Sequence, residues 1–449
     1  MEAYLEADLH HAAIRQAPAG RYAMYGGLTP LPDGELLCVY KTGSLDPKTG
    51  SPWAVRDETI VWTRTRDGAW PGEERVIYAD PATRQENCCG RGCLTGDGRW
   101  LHPFYVLNAD YEECAQAQNW ARLHLAETPD RGQTWAVRRL DVPLALAASF
   151  GGFLRLADGT LLLNVYGAAA HGTFRHQSGT LRSSDEGRTW GDYRVIGAGA
   201  EPDGGPALLN ETGLVELPSG RLLSMSRTQY DGFPLVRGRA ADAGGAWQVE
   251  RSGLTGLCPA LCVSRAGPPA GTVVLVYHDR WGRHADRGGV YATFSTDEGT
   301  TWGEPQWLSA GAYPCLLETA PGRMLCTYYR DNTLLRGTSF HVPFPSGLRS
   351  LAGTPAEDTG AVCLEWDAYR GRQASTIESR VHRAESAEFA PRAANCVGEV
   401  CGGNRFVDCG ARPGLGAFYR IVAWAAGREL GRSWLAAGGP VATAAGREG

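Results

Sequence analysis

Two stretches of the sequence decide the fold, SSDEGRTW at Ser183–Trp190 and STDEGTTW at Ser295–Trp302. Both follow the pattern Ser-x-Asp-x-Gly-x-Thr-Trp, to which we refer as an Asp box. In such a segment the short Asp side chain accepts backbone N–H bonds, the Gly adopts the left-handed conformation, and the Trp packs against the hairpin. Each Asp box therefore predicts a tight turn that joins two β-strands.

Weaker copies of the Asp box recur along the chain. The segment TPDRGQTW at Thr128–Trp135 has Thr in place of Ser, and the degenerate copies TRDGAW and AADAGGAW end at Trp70 and Trp247. The aspartates of the five copies, at positions 67, 130, 185, 242 and 297, are 63, 55, 57 and 55 residues apart. A nearly constant period of this length is typical of one four-stranded blade of a β-propeller together with its loops.

A second repeated segment, apolar–polar–Gly–apolar, alternates with the Asp boxes. It occurs six times, for example as LPDGELLCVY at 31–40, and each copy predicts a tight turn that leads into a strand. Its glycines are Gly34, Gly98, Gly159, Gly220, Gly271 and Gly322. Six copies predict an all-β fold, a six-bladed β-propeller with four-stranded antiparallel blades over residues 1–344, whose last blade takes strands from both ends of that segment. An irregular β-sandwich with chance repeats is the alternative.

Residues 345–449 contain neither repeat. They are rich in Ala, Gly and Arg, and no clear strand alternation is visible in them. The pattern predicts an irregular or disordered C-terminal extension, within which residues 375–389 are the one candidate for a short helix.

Composition supports a β-rich protein and limits its partners. The 59 glycines, 14 tryptophans and 17 tyrosines among 449 residues suit many short strands and tight turns. A net charge of −5 argues against nucleic acid as the main partner, because a phosphate-binding surface needs an excess of basic residues. The sequence shows neither an apolar signal segment nor a run of 18 apolar residues, which predicts a cytoplasmic protein with no membrane partner.

The thirteen cysteines are interpreted as reduced, buried thiols, because an odd number without an export signal does not suggest a disulfide framework. Three of them lie in the segment CCGRGC at Cys88–Cys93. This segment lacks a second Cys/His pair at metal-ligand spacing. The sequence therefore predicts neither a metal site nor another cofactor.

Over residues 20–344 the chain resembles the sialidase (neuraminidase) superfamily, whose members are six-bladed β-propellers with BNR, or Asp-box, repeats. Besides the Asp boxes, four segments carry the resemblance: NETGLVELPSGR at 210–221 with the following Arg227, RGGV at 287–290, YPCL at 313–316, and Asp57 just ahead of the strand at 59–63. They occur in the chain order and in the blades in which sialidases carry their catalytic and binding residues.

The resemblance implies a role for each of five side chains. Tyr313 is the candidate nucleophile, Glu211 its base and Asp57 the general acid, while Arg227 and Arg287 are candidates for holding a substrate carboxylate. Sialic acids have a carboxylate on the anomeric carbon, which repels an anionic nucleophile but not a neutral tyrosine hydroxyl activated by a glutamate. Arginines bind such a carboxylate in bidentate fashion, and a carboxylic acid protonates the leaving oxygen.

The sequence departs from this family at the start of the propeller. Sialidases open with Phe/Tyr-Arg-Ile-Pro, whose arginine completes a triad, but the matching segment YAMYGGLTP at Tyr22–Pro30 contains no arginine. Arg21, Arg56 and Arg91 are the candidates to replace it. The loss argues against sialic acid itself, but not against a sugar-binding channel.

A polar loop follows the second strand of the fifth predicted blade. It is HDRWGRH, from His278 to His284. One interpretation places it at the channel mouth, with Trp281 stacking on a sugar ring, and the other makes it a plain surface loop.

These observations leave several classes of function open. The first is a sialidase-like exo-glycoside hydrolase that cleaves a terminal, acidic sugar from a glycan or glycoside. The second is a non-catalytic propeller that binds glycan or protein. The third is another propeller carbohydrate enzyme, either an arabinan hydrolase or a polysaccharide lyase. The convergence of Glu211, Tyr313, Arg227, Arg287 and Asp57 in one pocket would favour the first.

Overall fold

The computed structural model describes most of the propeller and parts of the C-terminal extension. The described residues are 9–66, 69–71, 73–87, 89–109, 118–171, 176–197, 209–228, 232–264, 271–283, 287–342, 354–355, 362–365, 378–384, 393–401, 405–409, 417–425, 428–432 and 436–438. No helix among them is long and apolar enough to cross a membrane.

Six antiparallel sheets form the blades of a closed propeller, which confirms the predicted fold. The first strand of each sheet contacts the first strand or hairpin of its neighbours, so it is the inner strand beside the central channel. From the inner to the outer edge, blade 1 contains β2 (Arg21–Pro30), β3 (Leu36–Ser44), β4 (Thr59–Arg64) and β5 (Arg75–Ala79), and blade 2 contains β6 (Arg84–Asn87) with β7 (Cys93–Leu94), β8 (Trp100–Leu107), β9 (Ala121–Thr128) and β10 (Ala136–Arg139). Blade 3 contains β11 (Phe153–Arg155), β12 (Leu161–Ala168), β13 (His176–Ser183) and β14 (Gly191–Gly197), and blade 4 contains β15 (Leu209–Glu216), β16 (Leu222–Thr228), β17 (Pro234–Ala240) and β18 (Gln248–Thr255). Blade 5 contains β19 (Leu257–Val263), β20 (Val273–Asp279), β21 (Gly289–Ser295) and β22 (Gln306–Ser309), and blade 6 contains β23 (Ala312–Ala320), β24 (Arg323–Arg330), β25 (Leu334–His341) and β1 (His10–Gln16).

The ring is closed by strands from both ends of the propeller segment. The first strand of the chain, β1, pairs antiparallel with β25, with His10 opposite Ser339 and Gln16 opposite Leu334. The Ile14 side chain of β1 is buried in the cluster between blades 6 and 1. The closing strand thus covers the edge that β25 would otherwise expose.

The turn between the inner and second strands explains the apolar–polar–Gly–apolar repeat. In blade 1, Gly34 adopts a φ of 81°, donates to the Leu31 carbonyl, and allows Leu31 to donate to Glu35. A side chain is strained in this left-handed conformation, which is why glycine recurs at this point of the period.

The Asp boxes form the turns between the third and fourth strands. In blade 3, Gly187 N–H donates to Ser183 Oγ over 2.9 Å, and Thr189 N–H donates to Asp185 Oδ1 over 2.9 Å. The Trp190 indole N–H donates back to the Gly187 carbonyl over 3.0 Å. These turns lie at the end of the propeller where the inner strands finish. We call the opposite end, where the inner strands begin, the upper end.

The C-terminal extension contains strands where the structure describes it. They are β26 (Thr354–Pro355), β27 (Val362–Glu365), β28 (Glu378–Ala384), β29 (Cys396–Cys401), β30 (Arg405–Asp408), β31 (Ala417–Ala425), β32 (Arg428–Arg432) and β33 (Ala436–Gly438). They form one sheet of β26, β27 and β30 and another of β28, β29, β31, β32 and β33. The predicted helix at 375–389 is wrong, because β28 pairs on both sides and buries Val381 against Tyr419 and Ile421.

Candidate active site

The inner strands are irregular at the upper end of the channel. Four of them, β2, β15, β19 and β23, have a register shift against the second strand within their first few residues. In blade 2 the inner strand is split into β6 and β7, and in blade 3 the glycines Gly151 and Gly152 precede β11. A β-bulge changes the direction of the side chains beside it. Residues from all six blades consequently meet here in one cluster.

Four non-glycine residues at these bulges have a left-handed backbone. The φ angles are 61° at Tyr25, 45° at Cys89, 53° at Cys258 and 56° at Tyr313. Side chains with a Cβ rarely adopt this conformation, and it costs about 1–3 kcal/mol at each position unless the surroundings enforce it. Strained residues of this kind concentrate at functional sites, so their shared position marks the upper end of the channel as the candidate site.

Three tyrosines, which we call the tyrosine cluster, form the centre of this site. The Tyr25 ring contacts the Tyr313 ring edge to face at 4.8 Å and the Tyr329 ring at 5.3 Å. Tyr313 and Tyr329 are nearly parallel, with ring centroids 5.9 Å apart. Phe150 of blade 3 adds a further edge contact to Tyr313 at 6.5 Å. The floor of the site is therefore aromatic.

An ion pair between Glu211 and Arg227 borders the tyrosine cluster. Arg227 Nη1 lies 3.0 Å from Glu211 Oε2, and the two side chains are only 16% and 7% exposed. Burial alone would lower the pKa of Arg227. The nearby Glu211 carboxylate and other neighbouring groups have the opposite and larger effect, so the pKa of Arg227 is raised. Arg227 Nε is buried without a hydrogen-bond partner among the described residues. This N–H has almost no solvent-accessible surface.

Tyr313 lies within the electrostatic field of that ion pair. Burial raises the pKa of Tyr313 well above its usual value, and the negative charge of Glu211 raises it further, so the phenol is neutral at physiological pH. The side chain is half-buried. The hydrogen bonds described for these residues do not join Tyr313 directly to Glu211, whose Oε2 is occupied by Arg227.

Three further buried groups surround the ion pair. Burial lowers the pKa of His176 and of His278 to about 4, and both rings interact electrostatically with Glu211 and Arg227. Burial also raises the pKa of the Cys258 thiol, as does the adjacent Glu211 carboxylate. None of these side chains was predicted as catalytic from the sequence, although His278 was assigned to the polar loop that follows β20.

Asp57 lies at the same end of the propeller, on the loop between β3 and β4 of blade 1. Its carboxylate accepts hydrogen bonds from the Ser44 amide at 2.8 Å and the Ser44 hydroxyl at 2.6 Å. Arg21 Nη1 is 3.8 Å from its second oxygen, and both side chains are 38% exposed. The contacts described for Asp57 are thus to blade 1 rather than to Glu211 or Tyr313.

The other predicted arginines lie elsewhere. Arg287 is exposed and stacks on Trp307 of the outermost strand of blade 5, with its guanidinium carbon 3.6 Å from the ring centroid. Arg56 is exposed on the loop before β4. Arg91 donates to the carbonyls of Leu214 and Leu261, both at 3.4 Å, and so joins blade 2 to the inner strands of blades 4 and 5. This role explains Arg91 structurally and argues against it as a replacement for the missing arginine.

Beside the tyrosine cluster, two acidic and two basic side chains form a buried group that we call the charge network: Lys41, Glu58, Arg84 and Glu86. Lys41 Nζ is 2.5 Å from Glu86 Oε1 and 3.9 Å from Glu58 Oε1, and its side chain has no exposed surface. Arg84 approaches Glu58 to 3.4 Å. The charges balance, but both Glu58 oxygens are buried without a hydrogen bond.

No group of three or more His, Cys, Asp or Glu side chains within the described residues is arranged to hold a metal ion. Cys88 of the CCGRGC segment lies outside the described residues, whereas Cys89 and Cys93 are buried thiols.

No protein-family model and no curated protein matches the chain. Among solved structures, a protein of unknown function from Dyadobacter fermentans DSM 18053 is similar, with a TM-score of 0.61 and 18% identity over 75% of this chain and 100% of that chain. A Hadza microbial sialidase has a TM-score of 0.57 and 17% identity over 74% and 68% of the two chains. The α-L-arabinanase of Penicillium chrysogenum, complexed with arabinobiose, has a TM-score of 0.54 and 15% identity over 74% and 98%. Such identities show a shared fold alone.

Proposed function

We propose that this protein is a sialidase-like exo-glycoside hydrolase that removes a terminal acidic sugar from a glycan. The observation that carries the proposal is the meeting of Tyr313, Glu211 and Arg227 from blades 6 and 4 at the strained upper end of the channel. The fold is shared with a sialidase and an arabinanase, which is consistent with a carbohydrate substrate.

The proposed reaction uses Tyr313 as the nucleophile. Its oxygen attacks the anomeric carbon while Glu211 accepts the phenolic proton, and the bond to the leaving oxygen breaks as Asp57 donates a proton to that oxygen. Water then attacks the anomeric carbon, and the proton transfers run in reverse to release the sugar and the free tyrosine. Arg227 donates to Oε2 of Glu211 and the Cys258 thiol also interacts with this carboxylate, so a remaining lone pair of Glu211 is what accepts the phenolic proton in this scheme.

Arg227 favours an acidic sugar. Its Nε–H is buried without a partner among the described residues, so an anion that reached it after a shift of neighbouring side chains would gain a charge-assisted hydrogen bond. Arg227 is the one predicted clamp arginine that the structure brings beside Glu211. A clamp with fewer arginines binds more weakly, by about ten- to a hundredfold for each lost bond of about 1.5–3 kcal/mol.

A second candidate follows from the same shortage of arginines. Arg287 stacks on Trp307 and Arg91 binds carbonyls, so the site resembles an incomplete carboxylate clamp. An arabinan-type hydrolase acting on a neutral furanoside needs no such clamp, and an arabinanase shares the fold.

The test is an assay of the purified protein against aryl glycosides: a sialoside, a glucuronide, a galacturonide and an arabinofuranoside. We expect turnover of at least one acidic glycoside, slow on the sialoside, and a loss of at least about a hundredfold in Tyr313→Phe and in Glu211→Gln. Tyr193→Phe is the matched control, because it removes only a hydroxyl bonded to Gln177 on blade 3. Activity on the arabinofuranoside alone would favour the second candidate, and unchanged activity in both variants would exclude the proposed mechanism.

A further inference from the structure

Two tryptophans are the exposed large aromatic side chains among the described residues. Trp53 is 42% exposed and Trp281 is 44% exposed. Trp53 lies on the loop between β3 and β4, and Trp281 on the loop after β20, so both occupy the upper end of the propeller. An exposed indole is unusual, because burial of its large apolar surface is normally favourable.

The two tryptophans differ in how their rings are covered. Trp281 stacks on Phe233 at 4.4 Å, and the Arg283 guanidinium lies 4.8 Å from the Trp281 ring while it also donates to the Gly232 carbonyl. This ring therefore fastens the loops of blades 4 and 5 to each other. Trp281 is as exposed as Trp53, but its ring is already packed against Phe233 and the Arg283 guanidinium.

Trp53 is covered from below by the charge network. Lys41 Nζ lies 4.7 Å from the centroid of the Trp53 ring, and Arg84 donates a hydrogen bond to the Trp53 carbonyl. The one ring contact described besides Lys41 is with Tyr25, at 6.4 Å and a tilt of 40°. Lys41 and Arg84 of the charge network thus hold Trp53 in place, while the exposed part of its ring faces solvent beside the tyrosine cluster.

The position of Trp53 in the chain indicates which part of a substrate it meets. Asp57 lies four positions after Trp53 on the same loop, and its proposed role is to protonate the leaving oxygen. Trp53 and Asp57 therefore belong to the side of the site that receives the leaving group. Tyr25 connects that side to Tyr313, because its ring contacts both Trp53 and Tyr313.

We propose that Trp53 is a stacking platform for the sugar unit that leaves, so that the substrate is an oligosaccharide rather than a single sugar on a small aglycone. The ligand class rests on the proposed function. The apolar face of a sugar ring stacks on an indole, and a ring already fixed by its surroundings loses little conformational freedom on binding. Lys41 is in this scheme a positioning residue, which fixes the ring from below.

The test measures binding in a Glu211→Gln background, in which turnover is suppressed. Calorimetric titration uses 3′-sialyllactose, digalacturonic acid and arabinobiose, each compared with its terminal monosaccharide. We expect Trp53→Ala to weaken the oligosaccharide that binds by about tenfold or more, equivalent to about 1.4 kcal/mol, and to leave the affinity of the monosaccharide unchanged. Trp281→Ala is the matched control and should change neither affinity by more than about twofold.

A second variant separates stacking from folding. Trp53→Leu keeps an apolar cover over Lys41 but removes the aromatic face, and thermal unfolding shows whether it is folded. The same tenfold loss in folded Trp53→Leu supports the platform. Full oligosaccharide affinity in that variant, or an equal loss in Trp281→Ala, overturns it.

The outcomes also separate this proposal from the proposed function. Oligosaccharide binding that depends on Trp53, without sugar release by the wild type, retains the platform and rejects the hydrolase. Sugar release that does not depend on Trp53 retains the hydrolase and rejects the platform. Absence of binding by all three oligosaccharides rejects the platform, whereas absence of turnover of every aryl glycoside by the wild type rejects the hydrolase.

Discussion

Lys41 is one of two lysines in the chain and carries a fully buried charge. Its Nζ is 2.5 Å from Glu86 and lies over the Trp53 ring, so a single side chain connects the charge network to the candidate binding surface. Desolvation of four charged groups is costly, and their mutual attraction offsets it only while every partner is present. The stability of this region should therefore be sensitive to the loss of one charge.

We expect Lys41→Met to lower the free energy of unfolding by about 3–5 kcal/mol, because Glu86 and Glu58 would be left without their shared cation. Urea-induced unfolding measures this difference. Lys48→Met is the matched control, since Lys48 is exposed, and it should change the free energy by less than about 0.5 kcal/mol. Equal effects of the two substitutions would show that the buried network contributes nothing specific.

At the residue scale, the sequence indicated some of the site and missed the rest. Glu211 and Tyr313 were selected from motifs, and the structure brings them together with Arg227, while their roles stay predictions. Lys41 and His176 were not selected, because a buried lysine or histidine in a strand has no sequence pattern that separates it from an exposed one. Their positions depend on contacts between blades, which a linear period does not encode.

The Asp boxes differ in how completely they satisfy their turns. Asp185 accepts a bifurcated hydrogen bond from the Thr189 amide and a second bond from the Thr189 hydroxyl, and Ser183 Oγ accepts from the Gly187 amide. In the degenerate box of blade 4, the described bond to the Asp242 side chain comes from the Gly244 amide. The box in blade 3 should therefore contribute more to the free energy of unfolding than the degenerate box in blade 4.

We expect Asp185→Ala to lower the free energy of unfolding by about 1–2 kcal/mol, because several hydrogen bonds of a partly exposed carboxylate are lost. Asp242→Ala should cost less than about half of that. Chemical denaturation of both variants under the same conditions gives the comparison. A larger effect at Asp242 would contradict the ranking and indicate that the turn of blade 4 is held by its side chain after all.

At the element scale, strand number and turn position were predictable, but the bulges were not. The repeats fixed where each hairpin turns, since a left-handed glycine has a clear signature, as at Gly34. At the irregular inner strands of the upper end, Tyr25, Cys89, Cys258 and Tyr313 are left-handed, and none of these residue types favours that conformation. Packing across the channel enforces it, so no local pattern marks it.

Three buried histidines make the stability of the whole molecule depend on pH. Burial lowers the pKa of His102 to about 3 and that of His176 and His278 to about 4, against an ordinary value of 6.5. Between pH 6.5 and 4 the unfolded chain therefore binds more protons than the folded protein. The contribution of these neutral histidines to the free energy of unfolding is fully present above about pH 6.5 and is lost as the pH falls below that value.

We expect the free energy of unfolding to fall as the pH is lowered from 7 to 4, by up to about 1.4 kcal/mol per unit for each histidine. Urea titrations at pH 7, 6, 5 and 4 measure the slope. His102→Gln removes one of the three groups and should make the slope shallower. A free energy that stays constant over this range would show that these histidines are accessible to protons in the folded state.

At the scale of the whole molecule, the repetition of the blade explains why the propeller could be predicted from the sequence and the strands of the C-terminal extension could not. A repeated blade gives the same signal six times, whereas a strand such as β28 appears once, and its buried Val381 and His382 do not alternate with polar residues. Its assignment to a helix failed for that reason. That residues 345–449 lie outside the propeller stays a prediction. It can be tested by comparing the loss of these residues with the loss of the closing strand β1.

Truncation after residue 344 should leave the thermal unfolding of the propeller nearly unchanged, because β1 already closes the ring on β25. Deletion of residues 1–17 should have a much larger effect. It removes β1, exposes the edge of β25 and takes the buried Ile14 out of the cluster between blades 6 and 1. Calorimetry of the two truncated proteins and the full chain provides the measurement. A strong loss of stability after removal of residues 345–449 would mean that the extension packs on a blade. A mild effect of the N-terminal deletion would mean that five complete blades and an open sixth keep the ring folded without the closing strand.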